Sequence, residues 1–265
     1  MTFKLPGVCL ITGAASGIGR GAAITLAQEG CSRLFLVDID LEGLQESKNQ
    51  LQHVSSTARV EVLKVDIASE SSVKRMIDEC VSKFGRLDYA LNIAGVVPQR
   101  TPIADVKIET YDKVIAINQY GTWLCHQAEI KQMMKQEPLE GYGDTRGSIV
   151  TVSSLSGINA SSGMSTYCAS KHSIVGFAKT DAQDYGPHGI RVNVICPGMI
   201  DTDLFRATSP PDAPAALAAI TPVRRLGKPS DVAWLAAFLC SAESSFIHGA
   251  VIPCDGGLSL RRGVI

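Results

Sequence analysis

Apolar residues follow two rhythms that alternate from one end of this chain to the other. Short, nearly continuous apolar runs occupy 8–12, 34–37, 60–65, 89–93, 149–152, 192–195 and 251–253. Between them, apolar residues recur at helical spacing over 18–28, 41–53, 71–84, a long stretch reaching 134, 167–185 and 231–239. Runs apolar at every position have no solvent-facing side, so they predict strands buried on both faces by crossover helices. The expected fold is therefore α/β: a Rossmann-type doubly wound sheet of about seven parallel strands flanked by helices. No linker-like break divides the series, which predicts a single domain over 1–265. Two segments break the rhythm. The polar, Gly-rich stretch 136–147 reads as a solvent loop. The Pro- and Ala-rich connection 199–222 reads as a substrate lid, with a short helix near 213–219.

Composition narrows the function classes. The 265 residues carry 25 basic and 26 acidic side chains, a net charge of −1, so no basic surface for nucleic acid is expected. No apolar run approaches the roughly 18 residues of a membrane span, and the first residues lack a cleavable leader, which predicts a cytoplasmic protein with no membrane partner. The eight cysteines contain no Cys-x-x-Cys, and the five histidines fall in no ligand spacing. Neither disulfides nor a metal site are expected.

Candidate chemistry begins after the first strand, with Thr12-Gly13-Ala14-Ala15-Ser16-Gly17-Ile18-Gly19. Glycines there let backbone approach a diphosphate, and the following helix turns its N-terminal N–H groups toward the anion. Asp38 ends the second strand, where a carboxylate accepts hydrogen bonds from ribose hydroxyls and repels a 2′-phosphate. NAD is favoured over NADP, with Arg20 and Arg33 the nearest cations that could complicate the choice. Further along, Tyr167 and Lys171 stand one helical turn apart. A phenol titrates near 10. An ammonium about 4 Å away at an effective dielectric of about 20 favours the phenolate by about 4 kcal/mol, enough to lower that value by up to about 3. The tyrosine is then an acid–base group near neutral pH.

With these motifs in order, the chain resembles the short-chain dehydrogenase/reductase superfamily over nearly its whole length. The resemblance implies Asn118, Ser154, Tyr167 and Lys171 as the catalytic set, with Ser153 the rival of Ser154. Asn118 would hold a water that relays protons to Lys171. It also implies a cofactor site made of Gly13, Ser16, Gly17, Ile18, Gly19, Asp38, Asp66, Ile67, Asn92, Ala94, Gly95, Tyr167, Lys171, Pro197, Gly198, Ile200 and Thr202. Ile93 departs from the family pattern, which has a second asparagine there. The implied reaction is hydride transfer between NAD and a secondary alcohol or ketone, expected to be bulky and apolar (terpenoid, steroid-like or polyketide-like). An NADPH-preferring ketoreductase and a non-catalytic NAD-binding scaffold or sensor are the alternatives, and a homotetramer is the implied assembly.

Overall fold

The structure is a computed structural model and describes residues 3–260. The ends of the 1–265 span, residues 1–2 and 261–265, lie outside the described residues. Each apolar run forms a strand: β1 (Val8–Thr12), β2 (Arg33–Asp38), β3 (Arg59–Lys64), β4 (Tyr89–Asn92), β5 (Gly147–Val152), β6 (Ile190–Pro197) and β7 (Val251–Cys254). They make one all-parallel sheet in the order β3-β2-β1-β4-β5-β6-β7. Between them run α1 (Gly17–Gln28), α2 (Leu41–Val54), α3 (Glu70–Phe84), α4 (Ile108–Val114), α5 (Thr122–Met133), α6 (Ser165–Tyr185), α7 (Asp203–Thr208), α8 (Ala213–Ile220) and α9 (Pro229–Cys240).

Strand alternation divides the core into two layers. Cys9 and Ile11 of β1 pack with α1, α2 and α9, while Val8 and Leu10 pack with α3, α5 and α6. Leu10 and Ile11 are fully buried, and truncating either to alanine should cost about 2–5 kcal/mol. The chain winds outward from β1 through β2 to β3, then reverses through β4. This opens a crevice at the carboxyl ends of β1 and β4, the place where open α/β sheets take ligands.

Three details differ from the sequence expectation. A π-helical turn, Ile115–Gly121, interrupts the long helical region. The segment 136–147 is no simple solvent loop. Gln136 is buried and pairs twice with Leu87, its Oε1 accepting from N and its Nε2 donating to O, both at 2.8 Å, and Leu139 is buried as well. Finally, two helices rather than one, α7 and α8, occupy 199–222.

Candidate active site

The glycine loop is held from three sides. Thr12 ends β1, buried, and its Oγ1 accepts from the backbone N–H of Ile93 at 3.0 Å and of Ala94 at 3.2 Å. Gly13 has φ +71°, and a Cβ on it would stand 2.7 Å from Ala94 N. A Cβ on Gly19 would fall 1.9 Å from the Gly13 oxygen, so the loop closes on the first turn of α1 only without side chains at both places. Ser16, exposed, precedes α1 without a side-chain capping bond, which leaves the helix N-terminus open to an anion. Gly17 and Ile18 begin that helix.

Asp38 reaches into this loop. Its Oδ2 accepts from Ala15 N and its Oδ1 from Asp40 N, each at 3.1 Å. Of the two cations, Arg20 is committed to the loop itself, and Arg33 starts β2, at the opposite end of the strand from Asp38. Arg20 donates to the Ala15 and Gly43 carbonyls and, through Nε, to the Ser47 hydroxyl, which itself donates to the Ala14 carbonyl at 2.7 Å. Arg33 donates to the Pro6 carbonyl.

The catalytic set implied by the resemblance comes together at the start of α6. The Tyr167 and Ser154 side chains are hydrogen-bonded. Lys171 is buried and donates through Nζ to the Val152 carbonyl at 3.0 Å, with its ammonium 5.8 Å from the centroid of the Tyr167 ring. Ser153, the rival serine, is buried and donates to the Lys171 carbonyl at 2.8 Å, so it braces the helix. Asn118 lies in the π turn, fully buried. A Cβ on Gly95 would stand 3.1 Å from Asn118 Oδ1 and 3.5 Å from Lys171 Nζ, so glycine there lets the β4 end approach both groups.

One expectation about this set is corrected. Burial pushes the Tyr167 phenol up to about 12, against the lowering effect of the Ser154 bond, and the lysine does not offset it. The same burial brings Lys171 down to about 8. Removing both groups from water disfavours both charged forms, and the ammonium meets the ring and a carbonyl rather than pairing closely with the hydroxyl. In the free protein, then, the ion pair expected from helical spacing is absent. The Asn118 amide is committed to protein partners. Its Oδ1 accepts from Val96 N at 2.8 Å, and its Nδ2 donates to the Val96 carbonyl at 2.9 Å and to Ser170 Oγ at 3.3 Å. Its side chain clamps the loop after β4.

The remaining expected cofactor residues divide. Asp66 is exposed, with Oδ1 accepting from Ala68 N, and Ile67 beside it is buried against Gly121 of the π turn. Ala94 and Gly95 line the β4 end. Pro197 closes β6, and Gly198 packs its Cα against Asp255. Thr202 caps α7 by accepting from Phe205 N and lies over Gly17, where a Cβ would stand 3.3 Å from its methyl. The side chains of Asn92 and Ile200 turn into the core. The Asn92 amide donates to Glu129 in the core, and the Ile200 side chain is buried in the layer of α1 and α9. Side-chain alternation along a strand explains Asn92. Its neighbour across the sheet, Thr151, points to the same layer.

Sequence reasoning missed Thr12 as a clasp, the Arg20–Ser47 brace and Glu129. Thr12 abuts the glycine motif and was within reach of inspection. Ser47 and Glu129 sit on helices far along the chain and carry no local signal. Among the described residues no helix is long and apolar enough to cross a membrane. A cavity of about 430 Å³ adjoins the site, lined by apolar Pro98, Val106 and Met164 and by polar Gln99, Thr101 and Lys107, next to the turn that leads into Tyr167.

Comparison with known proteins places these features in a family. A family model described as Enoyl-(Acyl carrier protein) reductase matches residues 13–259. Levodione reductase of Leifsonia aquatica is 34% identical over 259 residues, covering 95% of this chain and 94% of its own. The 3-oxoacyl-[acyl-carrier-protein] reductase FabG of Thermotoga maritima is 36% identical over 251 residues, covering 95% and 97%. Short-chain dehydrogenase anuF of Penicillium roqueforti is 33% identical over 272 residues, covering 98% and 99%. A crystal structure of levodione reductase superposes with a TM-score of 0.91 at 33% identity, covering 97% of this chain and 99% of that one.

Proposed function

From the premise that this chain belongs to the short-chain dehydrogenase/reductase superfamily, we propose that it moves hydride between a secondary alcohol or ketone and NAD. The observation that carries this reading is the convergence of Ser154, Tyr167 and Lys171 beside the glycine-lined crevice. When bound, the nicotinamide dinucleotide supplies or accepts the hydride. The protein orients the reactants and handles the proton. Ser154 hydrogen-bonds the reacting oxygen, and Tyr167 takes the hydroxyl proton in oxidation or returns it in reduction. With the phenol pushed up to about 12 in the free protein, the neutral tyrosine is ready as a proton donor. Taking the proton requires extra positive charge beside it, which the Lys171 ammonium and an oxidised nicotinamide ring together provide.

The residues present fit the dinucleotide. The open N-terminus of α1 suits a diphosphate, and the Asp38 carboxylate beside Ala15 suits ribose hydroxyls. Arg20 is tied to the Ala15 and Gly43 carbonyls and Arg33 stands at the opposite end of β2, so neither is offered to a 2′-phosphate, which favours NAD over the NADPH-preferring alternative. Asp66 and Ile67 flank the adenine side. Pro197, Gly198 and Thr202 would hold the nicotinamide side, Thr202 from within the lid over 199–222.

The substrate reading is a bulky, largely apolar molecule. Half-buried Phe205, Leu217 and Ile220 on α7 and α8, with Val96, Val97 and buried Leu155, supply apolar surface at the mouth of the site. Exposed Tyr111, Tyr120 and Trp123 on one side and Trp234 and Phe246 on another suit a homotetramer, which sedimentation analysis checks.

The test is a panel of polycyclic and small polar alcohols and ketones, followed by nicotinamide absorbance with both cofactors, in wild type and Tyr167→Phe. Loss of turnover by about 10²–10⁴-fold with dinucleotide binding retained supports the assignment. Unchanged turnover in the variant refutes it and favours the scaffold reading. Preference for small sugars refutes the substrate class alone.

A further inference from the structure

Beneath the catalytic face, between β4, β5, α5 and α6, lies a cluster of polar side chains that the reaction does not use. Glu129 is fully buried and Asn92 nearly so, and Asn92 Nδ2 donates to Glu129 Oε2 at 2.8 Å. The second oxygen of each group, Asn92 Oδ1 and Glu129 Oε1, is buried without a hydrogen-bond partner. Two bare acceptors in the core are costly, and a carboxylate anion there is costlier. Nor does a cation pair with it. His126 spends Nδ1 on Asp181 at 2.8 Å and Nε2 on the Thr151 hydroxyl at 2.6 Å, leaving no ring nitrogen for Glu129. The other titratable groups that face Glu129 are the buried thiols of Cys80 and Cys125 and the Asp181 carboxylate.

We propose that Glu129 is a positioning residue held as the neutral acid: Glu129 Oε1–H donates to Asn92 Oδ1 while Asn92 Nδ2 donates to Glu129 Oε2, a two-point ring that fixes the end of β4. A single proton gives both orphaned oxygens a partner. Burial, the largest influence, pushes the Glu129 carboxyl up to about 7, over the opposing effects of His126 and the Asn92 bond. What the ring holds matters for the site. Asn92 is followed by the Ile93 and Ala94 N–H groups that Thr12 Oγ1 accepts, and then by Gly95, packed against Asn118 and Lys171. The kinetic consequence rests on the hydride-transfer reading, whereas the ring itself does not.

The ring makes the fold pH-sensitive in a defined direction. The folded protein keeps a proton that the unfolded chain releases above the ordinary carboxyl value of 4.5, so stability is full below that value and falls as pH rises through about 7. Glu129→Gln places an amide N–H where the acid proton stands and rebuilds both hydrogen bonds without titrating. Thermal unfolding of wild type, Glu129→Gln and Glu129→Ala from about pH 5 to about pH 8 should show a falling midpoint in wild type. Glu129→Gln should lack the Glu129 share of that fall and unfold above wild type at about pH 8, while Glu129→Ala should unfold about 5 °C or more lower at about pH 5. Where Glu129→Ala stays folded, the KM for the dinucleotide rises, and Glu129→Gln recovers it. Infrared spectra near pH 6 should contain a protonated-carboxyl band that Glu129→Gln lacks. Absence of that band, or a Glu129→Gln protein less stable than wild type at about pH 8, overturns the proposal. Neither readout needs substrate, so their failure leaves the hydride-transfer reading intact.

Discussion

Replacing Asn118 with alanine separates a clamp from a proton relay. The wild-type amide makes two short bonds to Val96, at 2.8 and 2.9 Å, and a longer one to Ser170 at 3.3 Å. Each good bond contributes about 1 kcal/mol net, and the longer one less. Val96 is only half-buried, so water restores part of what its N–H and carbonyl lose. Together these give a loss of about 2–3 kcal/mol, which at this chain length lowers the melting temperature by about 5–10 °C. The same loosening reaches Lys171, because a Cβ on Gly95 would meet both Asn118 Oδ1 and Lys171 Nζ. A displacement of about 1 Å at such a group costs about 10²-fold in turnover. Scanning calorimetry paired with steady-state kinetics reads both effects. Asn118→Asp is the informative companion. It keeps an acceptor for Val96 N–H but sets a second oxygen against the Val96 carbonyl, so it should fail as the alanine variant does. A melting temperature within about 1 °C of wild type together with abolished turnover would mean that Asn118 acts on the proton directly and that the clamp argument is wrong.

Lys171→Met should gain stability as it loses activity. The folded value near 8 lies below the ordinary 10.5, so at pH 7 the fold carries a charge it disfavours by up to about 3 kcal/mol, relieved only as pH rises from 8 toward 10.5. The methionine variant should therefore unfold above wild type at pH 7 and lack that alkaline rise, and a lower midpoint at pH 7 would refute the argument. Asp38→Ala should weaken NAD binding by about 10–100-fold, the loss of one or two charge-assisted bonds, without creating tight NADP binding, because Arg20 stays on its carbonyls and Arg33 lies at the far end of β2. Titration with both dinucleotides checks this, and a wild type that prefers NADP contradicts it. Gly13→Ala must fit a Cβ 2.7 Å from Ala94 N at φ +71°, so the purified variant should lose dinucleotide affinity before it loses its fold. Circular dichroism alongside binding separates the two.

The fold was legible because its signals are local. A run such as Val8–Ile11, apolar at every position, can only be buried on both faces, and the helical period between such runs dictates crossovers and hence a parallel sheet. Tyr167 and Lys171 could be paired from the sequence because helical geometry alone puts residues four apart on one face. What the sequence left open depends on partners distant along the chain. It could not choose firmly between Ser153 and Ser154, which the fold separates by giving one the Lys171 carbonyl and the other Tyr167. Nor could it fix the direction of the tyrosine's titration. Charge separation can be read from spacing, but desolvation is set by everything packed around the pair, and here desolvation wins. Asn92 and Asn118 were singled out by the family resemblance alone. Their roles waited on Glu129 and Val96, brought beside them only by sheet pairing and helix packing, where each buried polar group takes whichever partner the fold supplies.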